Sequence, residues 1–170
     1  MEQAPGGTTL NQLLMDGEID GFVGPRALPC FLEGNPDVGW LYKDPQAAAE
    51  AYYRRTDIFP IMHLLGIKKE LAEEHPFLPG ALQKAFTEAK ELALEALFDV
   101  SATKVTMPFV EEALARTQKL MGKDYWSYGI KTNEHVLETF LSAHYRQGLS
   151  DRQLKPVDLF HPSTLESYAL

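Results

Sequence analysis

Apolar positions along this chain recur mostly at helical spacing, interrupted by three short runs that do not keep it. Thr8 or Thr9 is placed to cap a short helix carrying Leu10, Leu13 and Leu14, with Gly17 at its end. Asp44-Pro45 pairs a capping acid with proline at the first helical position, and an alanine-rich helix follows through Arg55. Leu71 belongs to a short helical turn that His75-Pro76 ends. A long helix is predicted from near Pro79 to about Phe98, with Leu82, Phe86, Ala89, Ala93 and Ala96 as its buried stripe. A second runs from Pro108 to Met121 and stops at Gly122. A third runs from Asn133 to Gln147, with Val136, Leu137, Phe140 and Leu141 inward. The tail, Leu149 to Leu170, reads as turns and one short helix.

These three runs read as strands. Ile19 to Val23 is stopped by Gly24-Pro25, and Val38 to Tyr42 follows a turn-rich connection over 33–38. Ile58 to Lys68 is apolar on both faces, as a buried parallel or crossover strand would be, and Pro60 sits near its start where a missing donor is best tolerated. The order strand, helix, strand, then helices predicts an α/β piece with a helix-rich carboxy-terminal region. Three short strands are few for an independent sheet, so most of that sheet is expected to come from elsewhere.

Composition narrows the functional classes. The chain has 170 residues, 45% of them apolar, enough for one domain with a real core. Its net charge of -8, with acids spread over helices, argues against a nucleic-acid partner, which needs a basic face. A single cysteine, Cys30, excludes an internal disulfide framework and a cysteine-rich zinc site. No apolar run approaches a membrane span, and Met1 to Gly7 lacks the basic and apolar segments of a signal peptide. A cytoplasmic protein without a membrane partner is therefore expected. There is no internal repeat.

Two stretches carry the strongest signal. They are Asp16-Gly-Glu-Ile-Asp-Gly-Phe-Val-Gly-Pro-Arg-Ala-Leu-Pro-Cys-Phe31 and Glu50-Ala-Tyr-Tyr-Arg-Arg-Thr-Asp-Ile-Phe-Pro-Ile-Met-His63. With Asp124-Tyr-Trp-Ser-Tyr-Gly129, Gln147-Gly-Leu149 and Asp158-Leu-Phe160, they resemble the 4,5-dihydroxyphthalate decarboxylase family, in its carboxy-terminal half only. The resemblance implies a periplasmic-binding-protein-like II fold, in which a ligand lies between two α/β lobes. On that basis residues 1–58 are expected to be the end of the second lobe. Residues 59–170 are expected to hold the crossover strand and the return segment of the first. Family members are roughly twice as long, so half of the ligand cleft is expected to be absent from the isolated chain.

The chemistry so implied is decarboxylation of a dihydroxylated aromatic dicarboxylate by ring protonation. It asks for a proton donor, an anchor for the second carboxylate and exclusion of water. His63 is the candidate acid, its ordinary pKa being close to the working range. The competing reading is a histidine whose ring nitrogens satisfy backbone groups. Arg26 lies just beyond a predicted strand end, and its planar fork suits a carboxylate; a surface arginine in a turn is the alternative. Arg54 and Arg55 are neighbours on a helix, so at most one faces a cleft, and Arg54 is chosen. Tyr53 is placed to hydrogen-bond a phenolic oxygen, although helix packing explains it nearly as well. His135 and His144 are assigned to exposed helix faces, His75 to a helix break and His161 to a solvent-facing loop.

The five histidines show no metal-ligand spacing, and neither a metal nor another cofactor is expected. The partner is a small aromatic carboxylate, and a homo-oligomer is compatible with the sequence. A non-catalytic solute-binding module capturing a small organic anion is the alternative function, because fold alone does not separate binding from turnover. An inactive fragment that associates with itself is a third.

Overall fold

A computed structural model of the chain describes residues 4–165. Among these residues there are seven α-helices, two 3-10 turns and no strand. They are α1 (Leu10–Met15), α2 (Pro29–Leu32), α3 (Pro45–Thr56), α4 (Lys69–Glu74), α5 (Leu78–Phe98), α6 (Val110–Met121) and α7 (Ile130–Arg146), with 3-10 turns at Pro156–Asp158 and Pro162–Thr164. The chain divides into two compact units, residues 1–49 and residues 50–170.

The absence of a sheet overturns the α/β, periplasmic-binding-protein-like II reading for the described residues. The three runs read as strands, 19–23, 38–42 and 58–68, carry no strand pairing. A strand exists only as half of a pair, because its N–H and C=O groups need a neighbouring backbone. Among the described residues no such neighbour is present, so these runs stay irregular and open to solvent. Leu41 is 88% exposed and Leu64 61% exposed, which is incompatible with a buried strand.

The helix signals act as their chemistry dictates. Thr9 caps α1 by accepting a hydrogen bond from the Gln12 amide at 3.1 Å. Gly17, at φ +71°, lets the chain turn back so that the Glu18 amide reaches the Leu13 carbonyl at 2.9 Å. The Asp44 carboxylate accepts from the Ala47 amide at 2.9 Å, with Pro45 opening α3. Gly122, at φ +86°, ends α6. The short α2 lies within the stretch that carries Arg26 and Cys30, where no helix is expected from the spacing. Pro29 opens it, and the Asn11 side-chain oxygen accepts from the Cys30 amide at 2.9 Å, tying α2 to α1.

The well-buried apolar set is small: Cys30, Ala72, Ile130, Leu137 and Leu141. Three of these five stand on α7, at the helical spacing 130, 137 and 141, so this helix forms the spine of the larger unit. The predicted stripe of α7 is half right, since Phe140 is 62% exposed. The α5 stripe fails at its bulkiest member: Phe86 faces solvent, while Pro79 is buried. Helix α7 packs on the turn Pro156–Asp158, and α5 on the turn Pro162–Thr164. The second contact uses Gly80, where an added Cβ would meet the Ser163 carbonyl at 3.6 Å. Total accessible surface is 13,872 Å², against roughly 8,400 Å² expected for a compact monomer of this mass.

No helix among the described residues is long and apolar enough to cross a membrane. Residues 1–3 and 166–170, which include parts of the signal-peptide and tail readings, lie outside the described residues.

Candidate functional site

The carboxy-terminal end of α3 and the irregular segment after it hold three of the four predicted site residues: Tyr53, Arg54 and His63. Arg26 belongs to the other compact unit, where it stands exposed in a bend just before α2. Tyr53, Arg54 and His63 thus share one compact unit, and Arg26 stands in the other.

Arg54 follows Glu50 by one helical turn and pairs with it at 2.9 Å. This pairing is what the spacing i, i+4 favours on a helix. Arg116 from α6 approaches the other oxygen of the same carboxylate at 2.6 Å. Glu50 thus bridges two helices and is only 13% exposed. The hydrogen bond from Arg116, reinforced by the one from Arg54, holds its carboxyl below the ordinary value of 4.5, against the opposing effect of burial. A carboxylate with a depressed folded-state pKa stabilises the fold above its unfolded value and loses that contribution as pH falls through the folded one. Glu50→Gln is accordingly expected to flatten the acid limb of a stability-versus-pH curve below about 4.5. Chemical denaturation at pH 3 to 6 checks it, and an unchanged acid limb would show that the bridge is energetically idle.

Tyr53 is half-buried. Burial first, and the Asp57 carboxylate hydrogen-bonded to it second, push its phenol above the ordinary value of 10.0. Asp57 sits just past the helix end at φ +54°, a left-handed conformation in which aspartate is tolerated better than most residues. The guanidinium of Arg55 lies 5.6 Å from the Tyr52 ring centroid, so Arg55 is turned along the helix surface. Both arginines stand in the last turn of α3, where cations complement the helix dipole.

Beyond Asp57 the chain leaves in an irregular path. The Ile58 amide donates to the Thr56 hydroxyl at 3.2 Å, and the Phe59 ring packs on Trp126 with centroids 5.6 Å apart. His63 follows four residues later and is exposed. It is not a buried strand histidine satisfying backbone groups. His135 is exposed, as its helix position suggests, and makes one contact that the position does not signal. Its Nε2 lies 3.0 Å from the Thr56 carbonyl, across 79 positions of sequence. No spacing rule signals that contact, because its partner is a backbone oxygen. His161, read as solvent-facing, is half-buried, its Nδ1 2.8 Å from the Ser163 hydroxyl.

Chemically, this end of α3 offers a cationic helix terminus, a phenol and an exposed imidazole. The open groove of about 530 Å³ along α5 is a poor match for an anion, being lined by Glu91, Leu94, Glu95, Phe98 and Asp99. Among the described residues no group of three His, Cys, Asp or Glu side chains is arranged to hold a metal ion.

No family model matches the chain. It is 54% identical over 167 residues to a 4,5-dihydroxyphthalate decarboxylase of Comamonas testosteroni, a match covering 98% of this chain and 51% of that protein. A 4,5-dihydroxyphthalate decarboxylase of Pseudomonas putida is 50% identical over 54 residues, 32% of this chain and 21% of that protein. The resemblance to the 4,5-dihydroxyphthalate decarboxylases therefore extends along almost all of this chain, which spans about half the length of the curated relative it matches so fully.

Proposed function

We propose that this chain carries part of the machinery for decarboxylating 4,5-dihydroxyphthalate or a close relative. The observation that supports it most is the 54% identity over 167 residues to a protein named for that reaction. His63 gives its proton to the ring carbon bearing the departing carboxylate. The bond from that carbon to the carboxylate carbon then breaks, its electron pair returns to the ring, carbon dioxide leaves and aromaticity is restored. Water restores the proton to the imidazole. The exposed position of His63 suits it to act on a ligand held against it.

Arg54 anchors the carboxylate that is retained, and the Tyr53 oxygen accepts a hydrogen bond from a phenolic hydroxyl. Arg54 is available at modest cost, because Arg116 keeps Glu50 paired when Arg54 turns to the substrate. Arg54→Ala should raise KM about tenfold and leave kcat within about threefold, the pattern of an anchor that holds substrate and transition state alike. Steady-state kinetics check it, and an unchanged KM would remove Arg54 from the site.

The test of the whole reading is carbon dioxide release from 4,5-dihydroxyphthalate. It compares this chain with a form completed by the remaining sequence of the Comamonas testosteroni relative. Turnover in the completed form alone would assign the missing groups to the added half. Turnover in neither, with the ligand still bound, would overturn the reading.

A further inference from the structure

We propose that His135 is a positioning residue: its hydrogen bond to the Thr56 carbonyl fixes the direction in which the chain leaves α3 and so sets where His63 stands. The proposal rests on the reading of His63 as the proton donor. Four observations on one short stretch carry it. His135 Nε2 lies 3.0 Å from the Thr56 carbonyl. A carbonyl only accepts, so the ring must carry its proton on Nε2 and donate it. Asp57 holds a left-handed backbone at φ +54° at the same point of the chain. The Ile58 amide is taken up by the Thr56 hydroxyl at 3.2 Å, and that hydroxyl itself donates to the Tyr52 carbonyl at 2.8 Å. Phe59 then lies on Trp126.

After Phe59 the support stops. Among the described residues no backbone hydrogen bond is made by residues 60–67, and the next is accepted by the Lys68 carbonyl at the start of α4. Ile61, Met62, Leu64 and Leu65 are all exposed, so packing does not hold the segment either. Pro60 has a fixed φ and restricts Phe59 before it to extended backbone, which makes the first step stiff. His63 is four residues past Phe59, within about 14 Å along the chain. A small rotation at Thr56 or Asp57 is carried through the stiff Phe59-Pro60 step and so moves the point from which Ile61 and Met62 lead to His63. His135 is the side chain from α7 that braces the rotation point, and Trp126 is the second brace, three residues along the chain.

The experiment places spin labels at Met62→Cys and Glu138→Cys in this chain and reads their distance distribution by pulsed dipolar spectroscopy. Cys30, 2% exposed, is left in place. Two exchanges at position 135 are compared: His135→Leu, which removes the donor, and His135→Gln, whose amide nitrogen can reach the same carbonyl. A distribution about twofold wider in His135→Leu, and narrow again in His135→Gln, is expected. Equal widths in all three proteins would overturn the proposal, as would a His135→Gln protein as broad as His135→Leu. In the completed form that turns over, His135→Leu should lower kcat about tenfold with KM within about twofold, and His135→Gln should recover it. Loss of His63 without effect on turnover would remove the catalytic reading, while the distance measurement would still decide whether His135 positions the segment.

Discussion

His63→Ala should lower carbon dioxide release by about 10²- to 10⁴-fold in the completed form, the range typical of losing a positioned acid. The residue stands exposed on a segment with no hydrogen bond of its own from 60 to 67 among the described residues, so replacing it removes no described packing or backbone bond. Loss of activity would then report chemistry and not unfolding. The circular dichroism spectrum and melting temperature should match the parent protein. A drop of less than about threefold would mean that protonation comes from another group. Added imidazole offers a further check, because an exposed site can admit it, and partial recovery with imidazole would identify the missing group as a proton donor.

Leu141→Ala should cost about 2 to 5 kcal/mol of unfolding free energy. Leu141 is 5% exposed, on the one helix that supplies three of the five well-buried apolar residues. A cavity there cannot be filled by sliding a neighbour inward without disturbing Leu137, one turn away. Phe140→Ala makes the contrast: that ring is 62% exposed, so its removal should cost less than about 1 kcal/mol despite the greater volume lost. Urea denaturation of the three proteins measures both. Equal costs at 140 and 141 would contradict the facing of α7.

These two residues also show how far pattern alone reaches. The stripe Val136, Leu137, Phe140, Leu141 identifies the helix and finds two of its buried members, yet it is too broad. An apolar arc of that width fits a helix covered on two sides, and α7 is covered on less. Caps were easier to read: Thr9, Asp44 and Gly122 act through atoms within four residues of themselves, so their roles are contained in the local sequence. The run from Ile58 to Lys68 shows the opposite case. Its composition suits a strand, but pairing depends on a second segment, and among the described residues no second segment lies alongside.

The site divides along the same line. The Glu50–Arg54 pair was within reach of the i, i+4 rule and explains why Arg54 is not a free cation. The contribution of Arg116 was not, since α6 meets α3 only in three dimensions. His135 stands on an exposed helix face, as its position predicts, and the contact of its ring nitrogen with the carbonyl that ends α3 is what local sequence does not signal. Tyr53 is the sequence's candidate for a phenolic oxygen, and burial, followed by the neighbouring Asp57 carboxylate, raises its phenol above the ordinary value.

The large accessible surface has a thermodynamic consequence. Denaturant acts in proportion to the surface newly uncovered on unfolding, and the heat-capacity increment follows the same quantity. A folded chain that already presents 13,872 Å² has less left to uncover than a compact protein of 170 residues. Its urea transition should be shallow and its calorimetric peak broad, each with a slope or increment about seven-tenths of what its length alone would suggest. A steep transition would mean that this chain covers its apolar side chains in solution by joining another surface.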